Sequence, residues 1–205
     1  MMPKYEGRHR AGAALSRPCL SVLLLLSFCC WQEDLQEAWA EVEVLTGTSL
    51  TIDGRVISDR AAVVGHPAVK EVLAAFGRAE DALQKQDLEA LMRFYAAGYN
   101  YNGLKQADVR RVWGEVFDHF RAIASTHHFT EVKVVQGGSH PRVELTCTGG
   151  LYAVEKASGR RVTIDSWFRE VHYLIKEGGT WHFLGNAGNA PTEAPAWSAP
   201  HHPLF

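Results

Sequence analysis

Hydrophobic positions recur with a helical period in the first half of the chain and alternate in the second. After Pro67, the residues Val69, Val72, Leu73, Phe76 and Leu83 fall on one stripe, with Lys, Glu, Arg and Gln opposite. That spacing predicts an amphipathic helix whose first turn accommodates the proline, since an N–H there would have no intrahelical partner. Asp87 is placed to cap a second, shorter helix with the stripe Leu88, Leu91, Met92 and Tyr95, ended by Gly98. After a brief extended piece and a turn at residues 99–103, a third helix is predicted from about Gln106. It carries the longest apolar face in the chain: Val109, Val112, Trp113, Val116, Phe117, Phe120 and Ile123. Three helices in succession need a broad apolar surface to lie on.

The second half supplies it. Residues 126–136 alternate, residues 137–141 turn, and residues 142–154 alternate with Val143, Leu145, Cys147, Gly149 and Leu151 on one side. A long run at 162–175, rich in β-branched and aromatic residues, leads through the tight-turn signal Glu177-Gly-Gly-Thr180 to a short last strand at 181–184. Because side chains alternate and antiparallel partners sit opposite, Ile164, Ser166, Phe168, Glu170, His172 and Leu174 should face the same way as Trp181 and Phe183. Continuous pairing back across the 155–160 region sets Cys147 against Phe168 and Leu145 against Glu170. The other face of the long strand then holds Asp165, Trp167, Arg169, Val171, Tyr173 and Ile175. The fold class predicted is α+β: three N-terminal helices covering one face of a curved, mostly antiparallel sheet of four or more strands. Residues 41–66, with a hairpin signal at Asp53-Gly54, read either as a small β-ribbon or as a linker.

Lys4, Arg8, Arg10 and Arg17 precede an apolar run at 20–31, and Ala38-Trp-Ala40 supplies a small-x-small cleavage pattern, so residues 1–40 are predicted to be a secretory signal and the protein to be exported, periplasmic or secreted. The run falls short of the roughly 20 apolar residues of a membrane span. A lipid anchor is the lesser alternative, because Phe28 and Cys29 stand where a small residue should precede the modified cysteine. Of the 4 cysteines only Cys147 lies beyond residue 40, which excludes an internal disulfide and predicts a small buried hydrophobe. A net charge of −2, with no basic run in the body, argues against nucleic acid or an anionic membrane as partner. The histidines at 127, 128, 140, 172 and 182 match no ligand signature, so neither metal nor cofactor is expected. The stretch 190–205 has no periodicity and is predicted to be a disordered tail.

The paired helices ending in Asp87-Leu-Glu-Ala-Leu-Met-Arg-Phe-Tyr95, the turn Tyr101-Asn-Gly103 and the closing hairpin at 169–183 resemble the nuclear transport factor 2-like superfamily, which includes ketosteroid isomerase and SnoaL-like domains. The likeness spans residues 67–189. It implies a cone-like fold with a pocket between the concave face of the sheet and the helices, and either cofactor-free acid/base chemistry or plain binding and assembly. The outer face of the long strand, too apolar to leave wet, points to a homodimer through Trp167, Arg169 and Tyr173, and an isologous dimer is frequent in the resembling family. Within that frame Glu170 and His172 share the inward face as candidate acid/base pair. His128 joins them only if Val132 and Val134 face inward, whereas Phe129 and Val135 set the opposite parity. Tyr95, Tyr99 and Tyr101 could present a phenol to an oxyanion, as members that shift protons on enolisable ketones do. Trp113, Phe117, Phe168 and Trp181 are the expected walls for a small hydrophobic ligand. The aspartate base expected after the second helix in the isomerases has no counterpart at 99–102. The function expected is therefore an exported SnoaL-like binding domain, either an isomerase- or dehydratase-type enzyme or a non-catalytic module.

Overall fold

The computed structural model describes residues 40–101, 103–137 and 140–185; nearly all of the expected signal segment and the whole 190–205 tail lie outside them. Among the described residues no helix is long and apolar enough to cross a membrane.

The alternating half of the chain forms a mixed six-stranded sheet in the order β2-β1-β5-β6-β7-β8. Its strands are β1 (Glu41–Ile52), β2 (Arg55–Ile57), β5 (Phe120–Val135), β6 (Arg142–Glu155), β7 (Arg161–Glu177) and β8 (Thr180–Phe183). The pair β3 (Asn100–Tyr101) and β4 (Leu104–Lys105) makes a separate small hairpin. Residues 41–57 are thus sheet: β1 runs parallel to β5, and Asp53 and Gly54, both at positive φ, turn it back into β2. The predicted meander β5-β6-β7-β8 is antiparallel throughout.

Among the described residues four helices precede or interrupt the strands. α1 (Arg60–Gly65) is capped by the Asp59 carboxylate, and α2 (Pro67–Gln84) begins on its proline, as the sequence predicts. α3 (Leu88–Met92) is capped by Asp87, which accepts from the Ala90 N–H at 2.9 Å, but it stops a turn early. The chain there is drawn off into a bridge between Tyr95 and Phe183. α4 (Gln106–His119) is also shorter than its apolar stripe, because Phe120 and Ile123 already belong to β5. Ala122, at φ 48°, makes an irregularity at the start of that strand, and the buried Glu80 of α2 accepts from the Ser125 N–H and Oγ just beyond it. Val69, Val72, Phe76 and Leu83 of α2 join Leu50, Phe129, Val132, Leu145, Leu174 and Phe183 in one core, so the long helix covers one face of the sheet. Each such side chain contributes on the order of 1.5–3 kcal/mol by leaving water.

Two irregularities in β7 decide what faces that core. Near the turn, Tyr152 pairs with Thr163, the register expected. One extra β7 residue then shifts the ladder to Leu151 opposite Asp165 and Gly149 opposite Trp167, and a second shifts it to Cys147 opposite Glu170. Each insertion reverses side-chain parity, because the strand period is two. Between them, Trp167 turns inward, 5% exposed, and Phe168 outward, 75% exposed. Beyond both, Glu170, His172 and Leu174 regain the predicted inward face. Phe168 is therefore no pocket wall, and Trp167 is not part of an outer face with Arg169 and Tyr173. A comparable insertion in β5, between Phe129 and Glu131, lets His127 and Phe129 face inward before it and Val132 and Val134 after it. The two parities weighed for this strand both occur, in succession, and His128 points away from the core.

Candidate acid/base site

Glu170 follows the second β7 bulge, where Arg169 takes φ 53°. Its carboxylate accepts a hydrogen bond from the Tyr101 hydroxyl at 3.2 Å, and Tyr101 is held over the sheet by the β3-β4 hairpin. Asp165, carried to the same face as Trp167 by the first bulge, acts on both through its charge. Burial pushes the Glu170 carboxyl up to about 7, with Asp165 adding to the rise and the Tyr101 hydrogen bond opposing it. Burial, then the negative charge of Glu170, raises the phenols of Tyr99 and Tyr101 well above the usual tyrosine range. At neutral pH the site thus holds a carboxyl near half-ionisation beside a phenol that keeps its proton. Such a pair can take a proton from one ligand atom, return it to another, and donate a hydrogen bond meanwhile.

His172 faces inward as predicted and is buried, 2% exposed. Its ring lies 5.6 Å from that of Phe183, 6.3 Å from Phe76 and 6.0 Å from His127. The Cys147 sulfur stands 3.6 Å from His127 Nδ1 and accepts from the Trp167 indole N–H at 3.2 Å. Burial, reinforced by the neighbouring His172 and His128, holds His127 well below the ordinary histidine value, so its imidazole is neutral. Burial likewise pushes the Cys147 thiol up to about 12.

The other expected residues have different employment. The Tyr95 hydroxyl accepts from the Trp113 indole N–H at 2.7 Å, and its ring meets Tyr99 edge-on at 5.2 Å, an arrangement of packing. Trp113 and Phe117 pack against each other on α4 with centroids 5.7 Å apart. Trp181 is buried, but its indole donates to Glu71 of α2 at 2.9 Å, beside the Lys176 ammonium, at the β8 end of the sheet. His128 Nδ1 lies 3.0 Å from the Glu43 carboxylate of β1, on the outer side. Asp165 and His127 escaped the sequence reading, because strict alternation puts the first outside and leaves the second undetermined. Gly149-Gly150 inside an alternating strand was the available signal of irregular pairing. A Cβ on Gly149 would stand 1.9 Å from the Thr126 carbonyl oxygen and 3.0 Å from the Trp167 ring.

An α+β domain with a mostly buried carboxyl and phenol between helices and sheet is the class that fold and site define. No family model matches the chain, and no curated protein does. Solved structures similar to it include a conserved protein from Planctomyces limnophilus DSM 3776, at 12% identity and TM-score 0.49 over 58% of this chain and 93% of that one. A ketosteroid isomerase-like protein from Erwinia carotovora atroseptica SCRI1043 matches at 17% identity and TM-score 0.40, over 63% and 94%. A protein of the nuclear transport factor 2-like family from Streptomyces avermitilis matches at 16% identity and TM-score 0.39, over 58% and 91%. These likenesses lie in the course of the chain and not in chemistry.

Proposed function

We propose that this chain is a small-molecule-binding domain that performs cofactor-free acid/base chemistry, a proton shift or dehydration on a hydrophobic carbonyl or hydroxy compound. The observation that carries the reading is the Glu170 carboxyl, poised near neutrality against the Tyr101 phenol. In its ionised form Glu170 removes a proton from carbon beside a carbonyl and returns it to a second position. Tyr101, which stays protonated, turns its single O–H from Glu170 to the oxygen that gains charge when ligand is bound. Asp165 tunes the carboxyl, and His172, enclosed by Phe76, Trp167 and Phe183, stands in the wall and not at the reacting atoms. The test is deuterium exchange of enolisable ketones, cyclic and steroid-like, followed by NMR. The native protein should accelerate exchange, with a rate rising through pH 7, and Glu170→Gln should lower it by about 10²–10⁴-fold. Equal exchange by both proteins would refute the role of Glu170. Export is part of the proposal on the strength of the N-terminal pattern alone, and N-terminal sequencing of protein recovered outside the cytoplasm tests it.

A second, non-catalytic reading, self-association through the outer face of the sheet, is favoured by the exposure of Phe168 and Val171 there. It predicts that native protein sediments as a dimer and that Phe168→Glu sediments as a monomer with an unchanged melting temperature. A monomeric native protein at micromolar concentration would rule this reading out.

A further inference from the structure

The cluster beneath the acid/base pair is unused by the proposed chemistry. We propose that His127, Cys147 and His172 form a binding site for a soft monovalent metal ion, cuprous copper. One ligand atom from each of the three lies within 4.8 Å of the others, and all three residues are buried. The geometry is of the right size: metal–nitrogen and metal–sulfur bonds of about 2.0 and 2.3 Å, set at tetrahedral to trigonal angles, separate the two donors by about 3.5–3.7 Å. His127 Nδ1 and Cys147 Sγ are 3.6 Å apart. The donors come from three neighbouring strands, β5, β6 and β7, and the β5 and β7 irregularities bring His127 and Trp167 to the same side as Cys147. A site on a paired sheet is stiff, which preserves the spacing without help from loops.

Charge and coordination number select the ion. A thiolate and two neutral imidazoles around a monovalent cation sum to zero, so the occupied site can stay in a dry core of Phe76, Phe129 and Phe183. A divalent ion there would leave one positive charge out of water, at a cost of several kcal/mol. Among the described residues three donors gather at this point, enough for cuprous copper and one short of the four that structural zinc takes. The thiol that burial keeps protonated must release its proton to solvent as the sulfur–copper bond forms, while the two imidazole nitrogens replace the ligands that copper arrives with and no electron is transferred. His127 is already neutral and needs no such loss. The Trp167 N–H on Cys147 Sγ is the outer contact that would orient the sulfur and temper its charge.

The experiment titrates the reduced full chain, cleared of metal, with cuprous ion held by the coloured chelator bicinchoninate. One equivalent of copper per chain should leave the chelator, and X-ray absorption at the copper edge should show one sulfur and two nitrogen neighbours. Cys147→Ser, a change of one atom, should weaken capture at least 100-fold while the melting temperature of the metal-free protein stays within a few degrees. Copper that stays with the chelator, a copper shell without sulfur, undiminished capture by Cys147→Ser, or displacement of copper by equimolar zinc would each overturn the assignment. The absorption spectrum of native protein decides the matter even if the variant fails to fold. Loss of exchange activity in Glu170→Gln bears on the other site alone.

Discussion

At the scale of the residue, Glu170 is tuned by opposing neighbours, and each can be removed. Tyr101→Phe deletes the hydrogen bond that steadies the carboxylate, so the Glu170 titration should move above 7, whereas Asp165→Asn should move it below. Carbon-13 NMR of the glutamate carboxyls, or the pH profile of the exchange reaction, reads both shifts, and movement of both variants in one direction would contradict the arrangement. The same group links stability to pH. Its value is raised from 4.5 in the free residue to about 7 in the fold, so between these limits the folded chain holds a proton that the unfolded chain has lost. Stability therefore falls as pH rises through that window, by about 3 kcal/mol in all, and the loss is complete above about 7. Glu170→Gln should be more stable than the native protein at pH 8, with a flatter denaturant midpoint from pH 5 to 8. A protein improved in stability and emptied of activity by one substitution is the mark of a functional carboxyl; one unchanged in both would make Glu170 a bystander.

At the scale of the element, the strands carry the information that sequence periodicity conceals. The stripe of α2 and the cap at Asp87 were legible because helix period and capping chemistry are local. The terminal hairpin was legible because a Gly-Gly turn fixes its register, and Leu174 does face Phe183. The middle of β7 was not. Two insertions leave the ends of the strand in the expected parity and reverse four residues between them, so Glu170 and His172 were placed rightly while Asp165, Trp167 and Phe168 were not. Arg169, a non-glycine residue at positive φ, gives no compositional sign of its role. Gly149 does: its missing Cβ is what lets Thr126 and Trp167 approach. Gly149→Ala should cost about 3 kcal/mol or more, measured by chemical denaturation, since the obstruction is backbone and cannot swing aside. Gly103→Ala, where a Cβ meets nothing within 4 Å, should cost about 1–2 kcal/mol, the penalty of its φ of 96° alone. Equal losses for the two would mean that close packing at Gly149 is not what excludes a side chain.

At the scale of the molecule, β1 lies in the sheet far from its partner in sequence. Thr48 Oγ1 reaches the Phe129 carbonyl at 2.7 Å across 81 residues, and Val44 and Leu50 enter the common core. The β5-β6-β7-β8 meander, by contrast, pairs neighbours in sequence. Nearby contacts close at little entropic cost and distant ones at more, so the meander should assemble before the first strand docks. Among the described strands the one synthesised earliest, β1, should then be completed latest, and in the interval its apolar residues and the open edge of β5 would be bare. A chain of this design has reason to be accompanied while it emerges, and its hazard before completion is edge-to-edge pairing with another copy of itself.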